Sequence, residues 1–197
     1  MFDYQLQGRQ LVLASSSPRR YELLKKAGFS FEILEIDFIE TIPDGLPEDE
    51  VAIYLAEQKA GQIEKDKLKA KVIITADTIV SLDNTILGKP GDVDQAKGML
   101  RLLSGRTHNV LTGVCLMSEK GRVSFVSLTK VKFVELSDKE INYYIDTCKP
   151  FDKAGSYGIQ EWIGYIGVEE ISGSYFNVMG LPVQRLYSEL KKFLQKY

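Results

Sequence analysis

The sequence has little of the chemistry that most zinc and redox sites use. It has two cysteines, Cys115 and Cys148, with no metal-ligand spacing between them, and one histidine, His108. Buried thiols are the simplest interpretation of the cysteines, and a strand-edge position is the simplest one for His108. Without a second histidine or a cysteine cluster, a structural zinc site is not expected.

Excess charge and long apolar runs are also lacking. The formal net charge is −2, and no basic stripe with interleaved aromatics occurs, so nucleic-acid binding is not expected. No run approaches the roughly 18 apolar residues of a membrane span. Residues 1–10 lack the basic start and apolar run of a signal peptide. We therefore expect a cytoplasmic protein that binds neither nucleic acid nor a membrane.

The pattern of elements predicts an α/β fold with a mixed central sheet and flanking helices. A chain of 197 residues can bury a sizeable core, so we expect a single domain over residues 1–197. The predicted strands cover residues 11–14, 31–38, 72–76, 79–82, 85–87, 110–117 and 123–134. The predicted helices cover residues 18–26 and 49–64, a segment from the Asp92 cap to Gly105, one from the Ser137–Glu140 capping box, and one from Pro182 onward.

A run of hydroxyl and guanidinium groups spans the start of the first predicted helix. Residues 15–20 read Ser-Ser-Ser-Pro-Arg-Arg and follow an apolar strand, with the helix starting at Pro18. Unpaired backbone N–H groups and the helix dipole favour an anion at such a position, and the side chains supply donors suited to phosphate. A helix capped by Ser17 with solvated arginines explains the segment equally well. It is not a P-loop, because the glycines and lysine of that motif are missing.

A carboxylate and a lysine follow in the next part of the chain. Ala76-Asp77-Thr78 comes directly after the apolar run 72–75, which places the Asp77 carboxylate where open α/β sheets have their active clefts, although a surface aspartate at a strand end is the alternative. Lys89 lies in the rigid turn Gly88-Lys89-Pro90 and by itself is more typical of solvated surface.

Residues 152–160 are difficult to explain by packing. They combine charge, glycines and an amide in a segment too irregular for an amphipathic helix. Gly155 and Gly158 would let the backbone approach a ligand closely, but a loop in which Asp152 and Lys153 bond each other is the alternative. Carboxylates, cations and phosphate-cradling loops together suit phosphoryl chemistry with magnesium or manganese.

Seven stretches of the chain, in the same order and spacing, resemble the Maf family, the septum-formation-inhibitor-like nucleotide pyrophosphatases. They are LASSSPRR (13–20), AEQKA (56–60), ADT (76–78), GKP (88–90), LSGRTH (103–108), DKAGSYGIQ (152–160) and VMGLP (178–182). The resemblance implies a fold like that of the inosine triphosphate pyrophosphatases, with two lobes around a nucleotide cleft. It also implies a divalent metal cofactor (Mg²⁺, Mn²⁺ or Co²⁺) and a homodimer.

The resemblance also implies the site residues. Asp77 would be the proton acceptor or a metal ligand, and Glu40 falls at the acidic metal-site position, with Asp37 as the alternative. Lys89 would act with them on the triphosphate. The implied substrate-binding residues are Ser15, Arg19, Lys59, Thr78 and Gln160.

The activity implied is hydrolysis of dTTP and UTP, and of modified pyrimidine nucleotides, to the monophosphate and pyrophosphate. Such an enzyme has a housecleaning role, with a link to cell-division arrest. The Gln160 amide offers a donor and an acceptor, which suits the O4 and N3–H edge of uracil or thymine. Glu161 departs from the family, which has glycine after this glutamine. The alternative function is a nucleotide-binding regulator of cell division without turnover, which would need neither Asp77 nor Glu40.

Overall fold

The computed structural model describes residue 6 and residues 8–36, 41–43 and 45–197. The strands are β1 (Gln10–Ala14), β2 (Glu32–Leu34), β3 (Lys71–Leu82), β4 (Thr85–Leu87), β5 (Thr107–Ser118), β6 (Gly121–Phe133) and β7 (Val168–Ser172). The α-helices are α1 (Pro18–Lys26), α2 (Glu48–Gly61), α3 (Val93–Leu103), α4 (Asp138–Cys148), α5 (Trp162–Ile166), α6 (Tyr175–Met179) and α7 (Val183–Lys196). Short 3₁₀ turns lie at Lys65–Leu68, Pro150–Asp152 and Ala154–Ser156.

The described strands form one mixed sheet. The strand order is β2-β1-β3-β5-β6-β7, and β4 pairs with β3. β1 runs parallel to both β2 and β3, whereas the β3–β4 and β6–β7 pairs are antiparallel. The predicted α/β class with a mixed sheet and flanking helices is confirmed.

The chain divides into two compact units. The first consists of residues 1–77, 112–127 and 180–197, and the second of residues 78–111 and 128–179. Strands β3, β5 and β6 each contribute residues to both units. The single domain and the nucleotide cleft implied by the resemblance stay predictions.

In the first unit, helix α2 lies directly on the sheet. Gly113 of β5 makes this possible, because a Cβ atom at this position would lie 2.0 Å from the carbonyl oxygen of Ala52. The Thr75 hydroxyl of β3 donates a 2.6 Å hydrogen bond to the carbonyl oxygen of Ala56. The orientation of α2 is therefore fixed by contacts with two neighbouring strands.

In the second unit, capped helices cover one apolar cluster. Asp92 Oδ1 accepts a 2.8 Å hydrogen bond from the backbone N–H of Gln95, and Ser137 and Glu140 form the predicted capping box at the start of α4. Each cap satisfies backbone donors that the first helical turn leaves unpaired. The buried side chains of this cluster include Leu100, Leu103, Phe133, Ile141 and Tyr144.

Several predictions about the elements need correction. Two strands were predicted at 72–76 and 79–82, but β3 is continuous, so Asp77 lies inside a strand and not at its end. β2 is shorter than the predicted strand 31–38, although residues 37 and 38 lie outside the described part of the chain. The short elements α5, β7 and α6 were not predicted. Cys115 is buried as expected, whereas Cys148 is only half-buried.

None of the helices in the described residues combines the length and the apolar character that a membrane crossing requires.

His108 lies near the start of β5 and is almost wholly buried. Its ring stands edge-to-face against Phe133 and Tyr157, with centroids 5.1 and 5.4 Å away, and its Nε2 lies 2.8 Å from the Tyr157 hydroxyl oxygen. Its Nδ1 has no hydrogen-bond partner among the described residues. Burial lowers the pKa of His108 from 6.5 to about 4, so the ring is neutral at neutral pH.

We expect acid to destabilise the fold through His108. The unfolded chain takes up a proton at this residue below pH 6.5, whereas the folded chain resists it down to about pH 4. The unfolded state therefore binds more protons between these values, and stability falls as the pH falls. Between pH 7.5 and 5 the loss from this residue is about 2 kcal/mol. The measurement is the free energy of unfolding by urea at both pH values, in the wild type and in His108→Gln. An equal pH dependence in the two proteins would contradict the prediction.

Candidate active site

An ion pair joins two of the predicted site residues in the first unit. Lys59, in the last turn of α2, donates to Oδ1 of Asp77 in the middle of β3. Their side chains are 16% and 9% exposed. A charge in such a position is costly unless it is paired, and here the two opposite charges pair with each other.

The ion pair is one of two neighbouring contacts that join α2 to β3. Thr75 and Asp77 are two residues apart on β3 and therefore point to the same face of the sheet. Thr75 contacts Ala56 and Asp77 contacts Lys59, and these two helical residues are three apart on one side of α2. The packing of the helix thus determines where the Lys59 ammonium meets the Asp77 carboxylate.

Other polar groups of α2 have partners of their own. The Ser124 hydroxyl donates a 2.6 Å hydrogen bond to Glu57 Oε1, and Arg122 lies 3.7 Å from the other oxygen of that carboxylate. Burial raises the pKa of the nearby Cys115 thiol, which keeps it neutral and a poor nucleophile. The described ion pairs of α2 thus include Glu57 with Arg122 and Lys59 with Asp77.

The serine and arginine segment forms a loop that Arg20 holds in place. Ser15 Oγ accepts hydrogen bonds from the Ser17 N–H at 3.2 Å and from Arg20 Nη1 at 3.3 Å. Arg20 Nε also donates to the carbonyl oxygen of Gly180 at 2.8 Å. Ser17 occupies the N-cap position, but its side chain makes no capping hydrogen bond within the described part of the chain. Arg20 therefore shapes the loop that presents Ser15 and Arg19.

In the second unit, the lysine turn is joined to the glycine-rich segment. The Gly155 N–H donates a 3.1 Å hydrogen bond to the carbonyl oxygen of Gly88, which precedes the exposed Lys89. Lys153 Nζ lies 2.7 Å from Asp152 Oδ1, as the loop interpretation expected, and 2.9 Å from Glu161 Oε1. This part of the chain is therefore a structured loop with its own ion pairs.

The predicted site residues are distributed over both units. Ser15, Arg19, Lys59 and Asp77 belong to the first, whereas Thr78, Lys89 and Gln160 belong to the second. Glu40 and its alternative Asp37 lie outside the described residues. Within residues 8–36, 41–43 and 45–197, no three histidine, cysteine, aspartate or glutamate side chains group in a way that could hold a metal ion.

The sequence interpretation missed the supporting residues. Arg20 and Thr75 lie in or beside recognised motifs, but nothing in their spacing indicates their partners. Tyr144 lies in the helix that the Ser137–Glu140 capping box predicts, but no polar role was predicted for it. A buried tyrosine hydroxyl needs a hydrogen-bond partner, and this requirement was the one available signal of a polar role.

Comparisons with known proteins agree with the resemblance. Residues 10–193 match the family model described as Maf-like protein. A relative from Phocaeicola vulgatus, named dTTP/UTP pyrophosphatase, is 56% identical over 188 residues, covering 95% of this chain and 97% of the relative. A relative of the same name from Parabacteroides distasonis is 50% identical over 185 residues, covering 93% and 96%. A solved nucleoside-triphosphatase / dITP/XTP pyrophosphatase from Mycobacterium abscessus aligns over 95% of this chain and 97% of its own, with 14% identity and a TM-score of 0.44. The match over nearly the whole chain and the high identity of the relatives place this protein in the Maf-like family.

Proposed function

We propose that this protein is a nucleoside triphosphate pyrophosphatase that hydrolyses dTTP, UTP and modified pyrimidine nucleotides to the monophosphate and pyrophosphate. The observation that carries the proposal is the 56% identity, over 95% of the chain, to a relative named dTTP/UTP pyrophosphatase. The proposal includes a homodimer, a cytoplasmic location and a housecleaning role.

The reaction requires water to attack the α-phosphorus while negative charge builds on the bridging oxygen. We assign Asp77 to orient or deprotonate that water, because a carboxylate held in one position is suited to general base catalysis. Lys59 donates to one oxygen of this carboxylate and so fixes its orientation. We assign the other oxygen to the water. Arg19 and Lys89 are assigned to the triphosphate, where fixed cations stabilise the developing charge. Ser15 and Thr78 are assigned to substrate binding.

The donor set is suited to a divalent metal. Asp77 offers a carboxylate oxygen in a largely buried position, and Glu40 is the second carboxylate that the resemblance implies. Mg²⁺, Mn²⁺ and Co²⁺ accept such oxygen ligands, and Mg²⁺ in particular is usually held by one or two carboxylates together with substrate phosphates. A bound metal would supply positive charge to the phosphate oxygens.

The direct test measures products. The purified protein is incubated with dTTP, UTP, CTP and GTP in the presence of Mg²⁺, and monophosphate and pyrophosphate are quantified separately. We expect equal amounts of both products, fastest with dTTP and UTP. Release of orthophosphate and diphosphate would indicate a different bond cleavage. Tight binding of nucleotides without any product would favour the regulator instead.

We expect Gln160→Glu to lower the preference for dTTP and UTP over CTP. The substitution removes the N–H group that would donate to the O4 carbonyl, and it places a negative charge beside that carbonyl. Discrimination falls when a site built to pair with a polar group loses its partner. The measurement is the ratio of kcat/KM values for the three triphosphates. Gln184→Glu on the exposed face of α7 introduces the same charge elsewhere and serves as the control. Unchanged ratios in Gln160→Glu would mean that this amide does not contact the base.

A further inference from the structure

Gln160 lies in a tight turn at the end of the glycine-rich segment. The backbone N–H of Glu161 donates a 2.9 Å hydrogen bond to the carbonyl oxygen of Gly158, so Gln160 is the third residue of a four-residue turn. In a turn of this length, the position of the third side chain depends on how both ends of the turn are held.

The hydroxyl of Tyr144 holds both ends. It accepts a 2.9 Å hydrogen bond from the backbone N–H of Gly158 and donates to Oε2 of Glu161. Burial, and next the Glu161 carboxylate, raise the pKa of Tyr144 far above its usual value. The hydroxyl therefore stays protonated, and so remains a donor, at neutral pH.

The Glu161 carboxylate is fixed on its other side as well. Its Oε1 lies 2.9 Å from Lys153 Nζ, and the Lys153 side chain is only 9% exposed. The carboxylate also packs on Gly158, where a Cβ atom would lie 2.8 Å from Glu161 Cδ and 2.9 Å from Oε2. Both oxygens of Glu161 thus have a defined partner, and a side chain at position 158 would push the carboxylate out of this position.

The hydroxyl of Tyr144 is not needed for the packing of α4. Ile141 and Ile145 of the same helix are buried in the apolar cluster, and the Tyr144 ring is buried with them. A phenylalanine would fill the same volume. What the hydroxyl adds is the link between the two ends of the turn.

We propose that Tyr144 and Glu161 are positioning residues that hold Gln160 against the base and so set the preference for pyrimidines with an O4 carbonyl and an N3–H. This inference rests on the proposed function, because it assumes that the Gln160 amide contacts the base. A hydrogen bond that reads one edge of a base requires its partner to be placed within a fraction of an ångström. Glu161 supplies a side-chain link to the turn that a glycine at this position would lack.

The first test is Tyr144→Phe, which removes one oxygen atom. We expect kcat/KM for dTTP and UTP to fall on the order of ten- to a hundredfold, mainly through KM, and the value for CTP to fall less. Tyr143→Phe is the matched control, because Tyr143 is the neighbouring residue of α4 and is exposed. An unchanged UTP to CTP ratio in folded Tyr144→Phe would overturn the inference.

The second test asks whether Tyr144 acts through Gln160. We expect Tyr144→Phe to change the UTP to CTP ratio of kcat/KM values little once Gln160 is alanine. The double variant should therefore have the same ratio as Gln160→Ala alone. If the fold-losses of the two single variants multiply in the double variant, Tyr144 acts independently of Gln160, which would contradict the proposal. If Tyr144→Phe does not fold, Glu161→Gln replaces it in the same cycle. That variant keeps an oxygen for Tyr144 but loses the ion pair with Lys153, and the same two outcomes apply.

Pyrophosphate release by the wild type distinguishes a failure of this inference from a failure of the proposed function. A wild type that releases no pyrophosphate from any triphosphate would contradict the proposed function alone. The inference would then be tested by the ratio of the Kd values for dTTP and dCTP, measured by calorimetry in the same variants. We expect Tyr144→Phe to raise the Kd for dTTP relative to the Kd for dCTP and Tyr143→Phe to leave their ratio unchanged, and equal ratios in all three proteins would overturn the inference.

Discussion

Asp77→Asn is expected to lower kcat by roughly a hundredfold or more while nucleotide binding is retained. The substitution keeps the shape of the side chain but removes the negative charge and the basic oxygen. If Asp77 orients the attacking water, the loss falls on the chemical step. Binding of the triphosphate is assigned to Arg19 and Lys89, and neither of these is altered. The measurements are kcat from pyrophosphate release and Kd for dTTP from calorimetry.

The same substitution also has a structural effect that must be separated from catalysis. It would leave the Lys59 ammonium, at 16% exposure, without its carboxylate, and loss of one partner of a buried pair is destabilising. The thermal midpoint of unfolding should therefore be measured beside kcat. Asp83→Asn is a suitable control, because Asp83 forms an exposed ion pair with Arg106. Its backbone is left-handed, with φ of 50°, a conformation that asparagine accepts readily. Near-normal turnover in Asp77→Asn would make Asp77 a structural partner of Lys59, and Glu40 or Asp37 would become the leading candidate for the base.

Local signals were sufficient to predict most of the longer elements, and β3 is the exception. Asp92 and the Ser137–Glu140 capping box mark the starts of α3 and α4, because caps depend on a few adjacent residues. The five-residue elements α5, β7 and α6 were missed, since segments of this length contain too few residues to show a period. They are determined by contacts with distant parts of the unit.

The error at β3 has a specific physical cause. Asp77 and Thr78 interrupt an apolar run, and an unpaired carboxylate in a buried strand would be costly, so the sequence predicted a strand end. The strand continues because Lys59, 18 positions earlier in the chain, supplies the opposite charge. A pattern within β3 alone contains no information about that partner.

The candidate site was predictable to a similar extent. The resemblance selected Lys59 and Asp77 separately, but their contact depends on α2 packing at Gly113 and could not be read from spacing. The roles of Arg20 and Tyr144 also depend on the folded structure. Arg20 contacts Ser15 and Tyr144 contacts Gly158, so the motifs indicated the residues proposed for the site but not the side chains that contact them.

Removal of divalent metal is expected to abolish turnover. The Lys59 ammonium is engaged by Asp77, so part of the cationic charge near the assigned base is already balanced. Departure of pyrophosphate places several negative charges on the leaving group, and Arg19 and Lys89 together offer only two positive charges. Oxygen ligands such as those of Asp77 and Glu40 bind Mg²⁺ or Mn²⁺ reversibly. We therefore expect EDTA to stop pyrophosphate release from dTTP, and Mg²⁺, Mn²⁺ or Co²⁺ to restore it.

The chelation experiment needs a check on folding and a comparison ion. The circular dichroism spectrum should not change with EDTA, because in the described part of the chain the core is built from apolar clusters and carries no three-ligand metal group. Ca²⁺ is the comparison ion, since it prefers longer bonds and more ligands than Mg²⁺ and should restore less activity. Asp77→Asn should weaken the binding of Mn²⁺, measured by calorimetry in the presence of dTMP and pyrophosphate, whereas Asp83→Asn should not. Full activity in exhaustively chelated protein would show that no metal takes part in the mechanism. Side chains alone would then have to stabilise the negative charge of the leaving group.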